Sequence, residues 1–256
     1  MITDEQYMKR CIQLASMGKG NVAPNPLVGA LIVIGNRVIG EGYHQKFGEA
    51  HAEVNAIDSV EDKTILSQST LYVSLEPCAH FGKTPPCADL ILKYNFKRVV
   101  IGCTDTFKQV SGKGINQLKN AGIDVQVGVL EKECRELNKH FFTFQEKNRP
   151  FVFLKWAQTA QGFIDNGQIN ETNKRAIAWI SKPEARTITH QWRAEHQAIL
   201  VGKNTIKNDN PRLTVREVEG NHPIRIILDT KATLRSIKCT EEEGTTIVLN
   251  TVKDEK

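Results

Sequence analysis

Apolar positions recur along this chain with two different periods, and turn residues mark where one gives way to the other. Met8, Cys11, Ile12 and Ala15 repeat at helical spacing. Thr3 and Gln6 stand at capping-box separation ahead of them, and Gly18 or Gly20 ends the run, so a helix starts near Thr3. Ala23-Pro24-Asn25-Pro26 reads as a rigid extended or turn segment. Val28 to Ile34 is an apolar strand, Gly35-Asn36 a two-residue hairpin signal, and Arg37 to Tyr43 the returning partner. Ala50 to Val60 predicts a helix, and Thr70 to Leu75 a strand that runs into Glu76-Pro77-Cys78. A helix opens near Cys87, followed by a strand over Arg98 to Gly102. Then come a helix over Gly114 to Ala121, a strand over Ile123 to Val129 and a helix over Glu131 to Gln145. Strands alternating with helices after an opening hairpin predict an α/β sandwich with a largely parallel sheet.

Glu146-Lys147-Asn148-Arg149-Pro150 is a short polar linker, after which the pattern restarts. Phe151 to Trp156 is strand-like and Lys182 to Ala194 helical, while Ala198 to Val201, Ile224 to Leu228 and Thr245 to Leu249 read as buried strands. Trp156, Trp179 and Trp192 are expected in the core. Two domains follow, residues 1–146 and 150–256. With 256 residues, 40% of them hydrophobic, each has enough apolar surface for a core. The formal charge of +5 is mild and dispersed; it suits a phosphorylated small molecule and argues against nucleic acid as a partner. No stretch reaches the length of a membrane span and the N-terminus lacks a signal peptide's apolar run, so no membrane role and a cytoplasmic location are expected. Six cysteines without a secretion signal imply reduced thiols and a metal site, not a disulfide framework.

That metal site is legible. A hydrolytic zinc needs three protein ligands and one open position for water. His51, Cys78 and Cys87 supply an imidazole and two thiolates, and Glu53 is a carboxylate nearby that is not a ligand. Zinc would make hydroxide available at neutral pH. Glu53 would take a proton from the water and deliver it to a ring nitrogen and a leaving amine. Singly, each residue is more often an ordinary helical histidine or a buried cysteine. Jointly, His-x-Glu followed by Pro-Cys after a strand is the signature of zinc deaminases. Residues two apart diverge on a helix, so the convergence of His51 and Glu53 must come from a helix terminus. The signature usually has two residues between its cysteines; here there are eight, Ala79 to Pro86. His80 lies in that insertion, but the ligand set is complete without it, and Cys11, Cys103, Cys134 and Cys239 read as structural.

The run from Glu76 to Cys87 resembles the deaminase domain of the bifunctional riboflavin-biosynthesis family. So do Pro24-Asn25-Pro26-Leu27-Val28-Gly29, His51-Ala52-Glu53-Val54 and Gly112-Lys113-Gly114. In that family a diaminohydroxyphosphoribosylaminopyrimidine deaminase is fused to a 5-amino-6-(5-phosphoribosylamino)uracil reductase. The resemblance implies a cytidine-deaminase-like three-layer sandwich followed by a partial dihydrofolate-reductase-like domain. It implies zinc, NADPH, a phosphoribosyl pyrimidine substrate and a homo-oligomer. It makes His51, Cys78 and Cys87 the zinc ligands and Glu53 the proton shuttle. Asn25 would bond the ring or the hydroxide site; its alternative is a turn asparagine between prolines. His44, Lys83 and Thr84 are candidates for the ribose-phosphate end, with Lys83 equally readable as a solvated loop lysine. Where the family shows Asp-Pro-Asn, this chain has Asp105-Thr106-Phe107, so the resemblance keeps a role for Asp105, and the asparagine contact is missing or supplied elsewhere.

Residues 150–256 resemble the start of the reductase domain through Trp179-Ile180-Ser181, Arg193-Ala194-Glu195, Ala198 to Gly202 and Asp209 to Arg216. The resemblance sets Lys155, Trp179, Thr205, Asp209 and Thr230 toward NADPH. It sets Arg193, Leu213 and Arg216 toward substrate, where two guanidinium forks suit a phosphate. The alternative for the two arginines is a surface salt-bridge role. The family's Ser-Leu-Asp-Gly is here Thr159-Ala160-Gln161-Gly162, and no glycine-rich phosphate cradle follows Leu228. The reductase half is therefore expected to be a partial domain with an incomplete site. Two other readings compete. A nucleic-acid or nucleoside deaminase would call for the short cysteine spacing and a basic or aromatic surface. A zinc-stabilised, non-enzymatic binding module would call for a fourth ligand and would give Glu53 no purpose.

Overall fold

The computed structural model describes residues 2–81, 85–106, 111–165, 167, 179–234 and 237–252. It divides into two compact units, Met1–Val152 and Phe153–Lys256. The first unit opens with α1 (Asp4–Ser16), whose capping box is present: Thr3 accepts from the Gln6 amide and Gln6 bonds back to the Thr3 amide. The hairpin β1 (Gly29–Ile34) and β2 (Arg37–Tyr43) follows. After it come α2 (Ala52–Asp58), a 3₁₀ turn over Lys63–Gln68, β3 (Thr70–Leu75), α3 (Cys87–Tyr94) and β4 (Arg98–Cys103). The unit closes with α4 (Lys113–Asn120), β5 (Asp124–Val127), α5 (Glu131–Leu137) and α6 (Lys139–Lys147).

The five strands form one sheet in the order β2-β1-β3-β4-β5. β1 pairs antiparallel with β2 and β3, while β3–β4 and β4–β5 are parallel. Strand periodicity sends alternate side chains to opposite faces, and here both faces are covered. Ala30, Ile32, Leu71, Val73, Val99 and Ile101 pack beneath α2, α3 and α4. Leu31, Val33, Tyr72, Leu75 and Val100 pack against α1, α5 and α6. The α/β sandwich expected from the alternation of elements, with the three layers the resemblance implies, is therefore the architecture of this unit. Cys11, Cys103 and Cys134 lie fully buried in the second of these cores, and Cys239 is buried in the second unit.

One expected helix is two. Glu131 to Gln145 breaks at Asn138, whose backbone leaves helical geometry at φ −102°, ψ 22°. The break has a tertiary cause, described below.

The second unit holds α7 (Pro183–Glu195), β6 (Ala198–Gly202), α8 (Lys203–Asp209), β7 (Ile224–Leu228), a 3₁₀ turn over Lys238–Thr240 and β8 (Thr246–Leu249). Its three strands form a parallel sheet in the order β6-β7-β8. Three expectations are corrected here. Phe151 to Trp156 has no place in either sheet. The tryptophans are not core: Trp156, Trp179 and Trp192 are 62%, 70% and 38% exposed. The strands are buried on one face only, where Ile199, Val201 and Ile227 meet Ile206, Leu213 and Cys239. On the other face Leu200, Ile224, Leu228, Ile247 and Leu249 remain exposed. A continuous apolar run fits a strand covered on both faces; among the described residues only one face is.

A buried arginine fixes the far end of this sheet. Arg225 in β7 is fully buried, and its guanidinium donates to Thr246 Oγ1 (2.9 Å) and to the carbonyls of Glu242 (3.1 Å), Glu243 (3.0 Å) and Gly244 (2.6 Å). Arg225→Met keeps much of the packing but removes every donor, and hydrogen bonds to charged groups contribute about 1.5–3 kcal/mol each before water replaces them. With two of those carbonyls near the surface, we expect a loss of about 3 kcal/mol in the second unit. Denaturant melts of that unit check this; an unmoved midpoint would show that water takes over all four bonds. No described helix is long and apolar enough to cross a membrane.

Candidate active site

The site forms at the carboxyl ends of the parallel strands, where loops leave a sheet covered on both faces. β3 delivers Glu76, Pro77 and Cys78; β4 delivers Thr104 and Asp105; α2 brings His51 and Glu53. Gly42 lets α2 lie directly on β2, since a Cβ there would sit 2.3 Å from the Ala56 nitrogen and 2.6 Å from the Ala52 carbonyl. His51 is the N-cap of α2, with extended backbone at φ −73°, ψ 164°, and Glu53 stands in the first turn. This answers how residues two apart converge: the first of them is not yet helical.

His51 Nδ1 lies 3.3 Å from Cys87 Sγ and 3.6 Å from Cys78 Sγ, and the three ligand atoms all fall within 4.8 Å of one another. Zn–N and Zn–S bonds of about 2.0 and 2.3 Å at a tetrahedral angle set N···S edges of roughly 3.6 Å, so this donor set has the spacing zinc requires. The site also favours a cation electrostatically. Cys87 opens α3, where its amide donates to Cys78 Sγ (3.3 Å). The neighbouring Cys87 thiol, that amide and His51 together lower the Cys78 thiol to about 4. The Cys87 thiol is pushed up by its bond to Cys78 and by burial. His51 is raised by its bond to the Cys78 sulfur.

Glu53 is 4% exposed. Burial, reinforced by the negative charge at Cys78, raises its carboxyl to about 7, which poises it between proton acceptor and donor near neutrality. A dication among the three ligands would draw that value down.

Above these residues opens a cavity of about 480 Å³, within the range of small-molecule sites. Asn25, His44, Asp105 and His80 line it together with His51, Glu53 and Cys78. His44 Nδ1 donates to the Ala50 carbonyl (3.0 Å), so its Nε2 must accept. Asn25 Nδ2 fills that place at 3.1 Å, which leaves the Asn25 carboxamide oxygen for a ligand donor. Burial lowers the His44 imidazole and keeps it neutral. Lys83 and Thr84 lie outside the described residues, as does Phe107.

Three contributions escaped the sequence. Glu76 is buried and accepts from four backbone amides: Asp105 (3.2 Å), Gly112 (3.0 Å), Gly114 (3.1 Å) and Ile115 (3.3 Å). A charged residue directly after an apolar strand was the available signal. Phe141, Phe144 and Gln145 of α6 wall the cavity, and Asn138 binds the Asn25 loop from a distance of 111 residues in sequence. Neither of these had a local signal.

In the second unit, Arg193 and Arg216 both donate to the Thr214 carbonyl, and Arg216 Nη1 also donates to Thr214 Oγ1 (2.8 Å). Burial and the Arg216 charge lower the Arg193 guanidinium, whose Nε is buried without a hydrogen-bond partner among the described residues. Leu213 directs its side chain into the core, so a ligand would meet only its backbone, held at φ +61°. Lys155, Trp179, Thr205, Asp209 and Thr230 are exposed, and among the described residues no hydrogen bond or ion pair joins them to one another. Partial desolvation and the Asp165 charge raise the Asp209 carboxyl, and Trp179 lies under the Arg186 guanidinium at 4.9 Å.

Comparisons with known proteins agree with this division. Residues 1–103 match the cytidine and deoxycytidylate deaminase zinc-binding region, and residues 150–256 match the RibD C-terminal domain. The riboflavin biosynthesis protein RibD of Aquifex aeolicus is 45% identical over 99% of this chain and 70% of its own length. That of Escherichia coli is 35% identical, covering 99% and 71%, and that of Bacillus amyloliquefaciens is 45% identical, covering 90% and 60%. The crystal structure of the Thermotoga maritima diaminohydroxyphosphoribosylaminopyrimidine deaminase/5-amino-6-(5-phosphoribosylamino)uracil reductase superimposes with a TM-score of 0.89 at 43% identity, over 98% of this chain and 70% of that one. Acinetobacter baumannii RibD gives 0.87 at 36%. The chain thus spans about 60–70% of the length of these relatives. With a zinc-binding deaminase region followed by a RibD C-terminal domain, and with this degree of identity across both, the chain belongs to the RibD family of riboflavin biosynthesis proteins.

Proposed function

We propose that the first unit hydrolyses an amino group from 2,5-diamino-6-(5-phosphoribosylamino)pyrimidin-4(3H)-one. The observation that carries this reading is a buried carboxylate, Glu53, beside a His51–Cys78–Cys87 cluster of zinc spacing at the floor of one cavity. When bound, zinc lowers the pKa of a coordinated water so that hydroxide forms near neutral pH. The chain's own residues do the rest. Asn25 offers its carboxamide oxygen to a ring donor, oriented by the neutral His44. Glu53 takes one proton from the attacking water and passes it to the ring nitrogen, then takes the second from the new hydroxyl as the C–N bond breaks and passes it to the departing amine, which leaves as ammonia. Asp105 lines the same cavity and Lys83 and Thr84 serve the ribose-phosphate end; His44, expected there from the sequence, has both ring nitrogens engaged and acts instead through Asn25.

For the second unit, expected from its sequence to hold an incomplete reductase site, we propose part of the pocket in which the family reduces the ribose with NADPH. Two guanidiniums converge on one carbonyl and repel each other, with Glu217 offsetting part of that charge, which supports a phosphate at Arg193 and Arg216 with the Leu213 backbone alongside. Lys155, Trp179, Thr205, Asp209 and Thr230 are proposed to meet the cofactor. A homo-oligomer and a cytoplasmic location belong to the same reading.

Metal removal tests the deaminase. Dialysis against a chelator is expected to abolish ammonia release from the phosphoribosyl diaminopyrimidinone, and one equivalent of zinc per chain to restore it. Turnover that survives with no metal detectable by atomic absorption would refute the mechanism.

A further inference from the structure

We infer that Asn138 is a positioning residue of the pocket: its carboxamide clamps the backbone of Leu27 and so holds the Asn25 loop against α6. The inference rests on the deaminase reading only for the use to which Asn25 is put.

Asn138 is 3% exposed and stands where α5 ends and α6 begins. Its Oδ1 accepts from the Leu27 amide at 2.7 Å and its Nδ2 donates to the Leu27 carbonyl at 2.8 Å. One side chain thereby satisfies both backbone polar groups of a residue 111 positions away, as a neighbouring strand would. An asparagine at a helix N-cap ordinarily turns its oxygen onto the amide two or three residues ahead. Asn138 holds the N-cap of α6 and makes no such bond. It forgoes the local bond that stabilises its own helix for a distant one, which also explains why the helix breaks there.

The two segments it joins line one cavity. Pro24, Asn25 and Pro26 line the cavity just ahead of Leu27, and Phe141, Phe144 and Gln145 line it from the turns of α6 that follow Asn138. Asn25 reaches His44 from this loop, so freedom at Leu27 becomes freedom in the aim of the Asn25 oxygen. A displacement of about an ångström in a group that orients substrate lowers rate substantially.

The test uses the full zinc-loaded chain and two variants, Asn138→Asp and Asn138→Ala, in the wild-type and Asn25→Ala backgrounds. Asp keeps the acceptor for the Leu27 amide and sets an anion against the Leu27 carbonyl; Ala removes both bonds with less burial of charge. Zinc content is expected to stay at one per chain and KM for the phosphoribosyl diaminopyrimidinone to rise about tenfold in each variant. That rise should largely vanish when Asn25 is already alanine, because coupled residues do not add. Additive effects in the double variants, or loss of zinc in both single ones, would assign Asn138 to general folding and overturn the proposal. Hydrogen exchange at the Leu27 amide separates the two readings. If the zinc-loaded wild type releases no ammonia, the deaminase reading fails. The clamp then stands if Asn138→Ala exposes that amide to exchange, and falls if the amide stays protected.

Discussion

Glu53→Gln is expected to lower the turnover of ammonia release by about 10²–10⁴-fold while leaving one zinc bound per chain. The amide is nearly isosteric, so the helix turn of α2 and the cavity floor keep their shape. His51, Cys78 and Cys87 carry the metal, and Glu53 lies outside the cluster of ligand atoms that approach one another. What is lost is the ability to hold a proton at one moment and release it at the next. Burial favours the protonated carboxyl and a bound dication the carboxylate, so both forms are accessible to the wild-type group. The effect should fall on kcat far more than on KM, since the group acts on protons that move only in the reaction. Steady-state kinetics paired with metal analysis check both halves. Turnover within a factor of a few of wild type, with zinc in place, would remove Glu53 from the chemistry.

Much of this site was legible because its signals are local. Thr3 and Gln6 announce α1, the unbroken apolar run from Ala30 to Val33 fits a strand covered on both faces, and His51-x-Glu53 followed by Pro77-Cys78 announces zinc chemistry. The remainder depended on partners far away in sequence. The apolar periodicity runs on through Phe142, while Asn138 at the break bonds the distant Leu27 backbone instead of capping its own helix. Phe151 to Trp156 has the composition of a strand, but composition does not supply a neighbour to pair with. The apolar runs of β6, β7 and β8 suggested burial on two sides, and only one core forms against them. Exposed tryptophans break a prior based on size and apolarity, which says where such residues go on average and nothing of the particular surface.

Glu76→Gln is expected to lower the melting transition of the first unit by roughly 6–12 °C, and to raise KM for the substrate among molecules that remain folded. The carboxylate has two oxygens and each accepts two amides: Oε2 takes Asp105 and Gly112, Oε1 takes Gly114 and Ile115. Glutamine has one oxygen, so its amide group must turn against two N–H donors whichever way it is placed. Two buried donors then lose their partner, at about 1–3 kcal/mol each, and the negative charge that complements the N-terminus of α4 is gone as well. Relaxation of the loop recovers part of this, leaving about 3 kcal/mol, and each kcal/mol moves the transition of a unit this size by about 2–4 °C. The neighbourhood gives the loop little room to relax. A Cβ at Gly114 would lie 2.1 Å from the Pro77 carbonyl, so α4 and the Glu76–Pro77 segment are already in contact. Asp105 is the link to function, because its amide is one of the four and its side chain lines the cavity. Calorimetry of the chain reads the first effect and kinetics on the phosphoribosyl diaminopyrimidinone the second. Glu76→Ala leaves all four donors unmet in a smaller side chain and should melt lower still. If Glu76→Gln melts with the wild type, water or a neighbouring group satisfies those amides and the carboxylate does not organise this wall of the pocket.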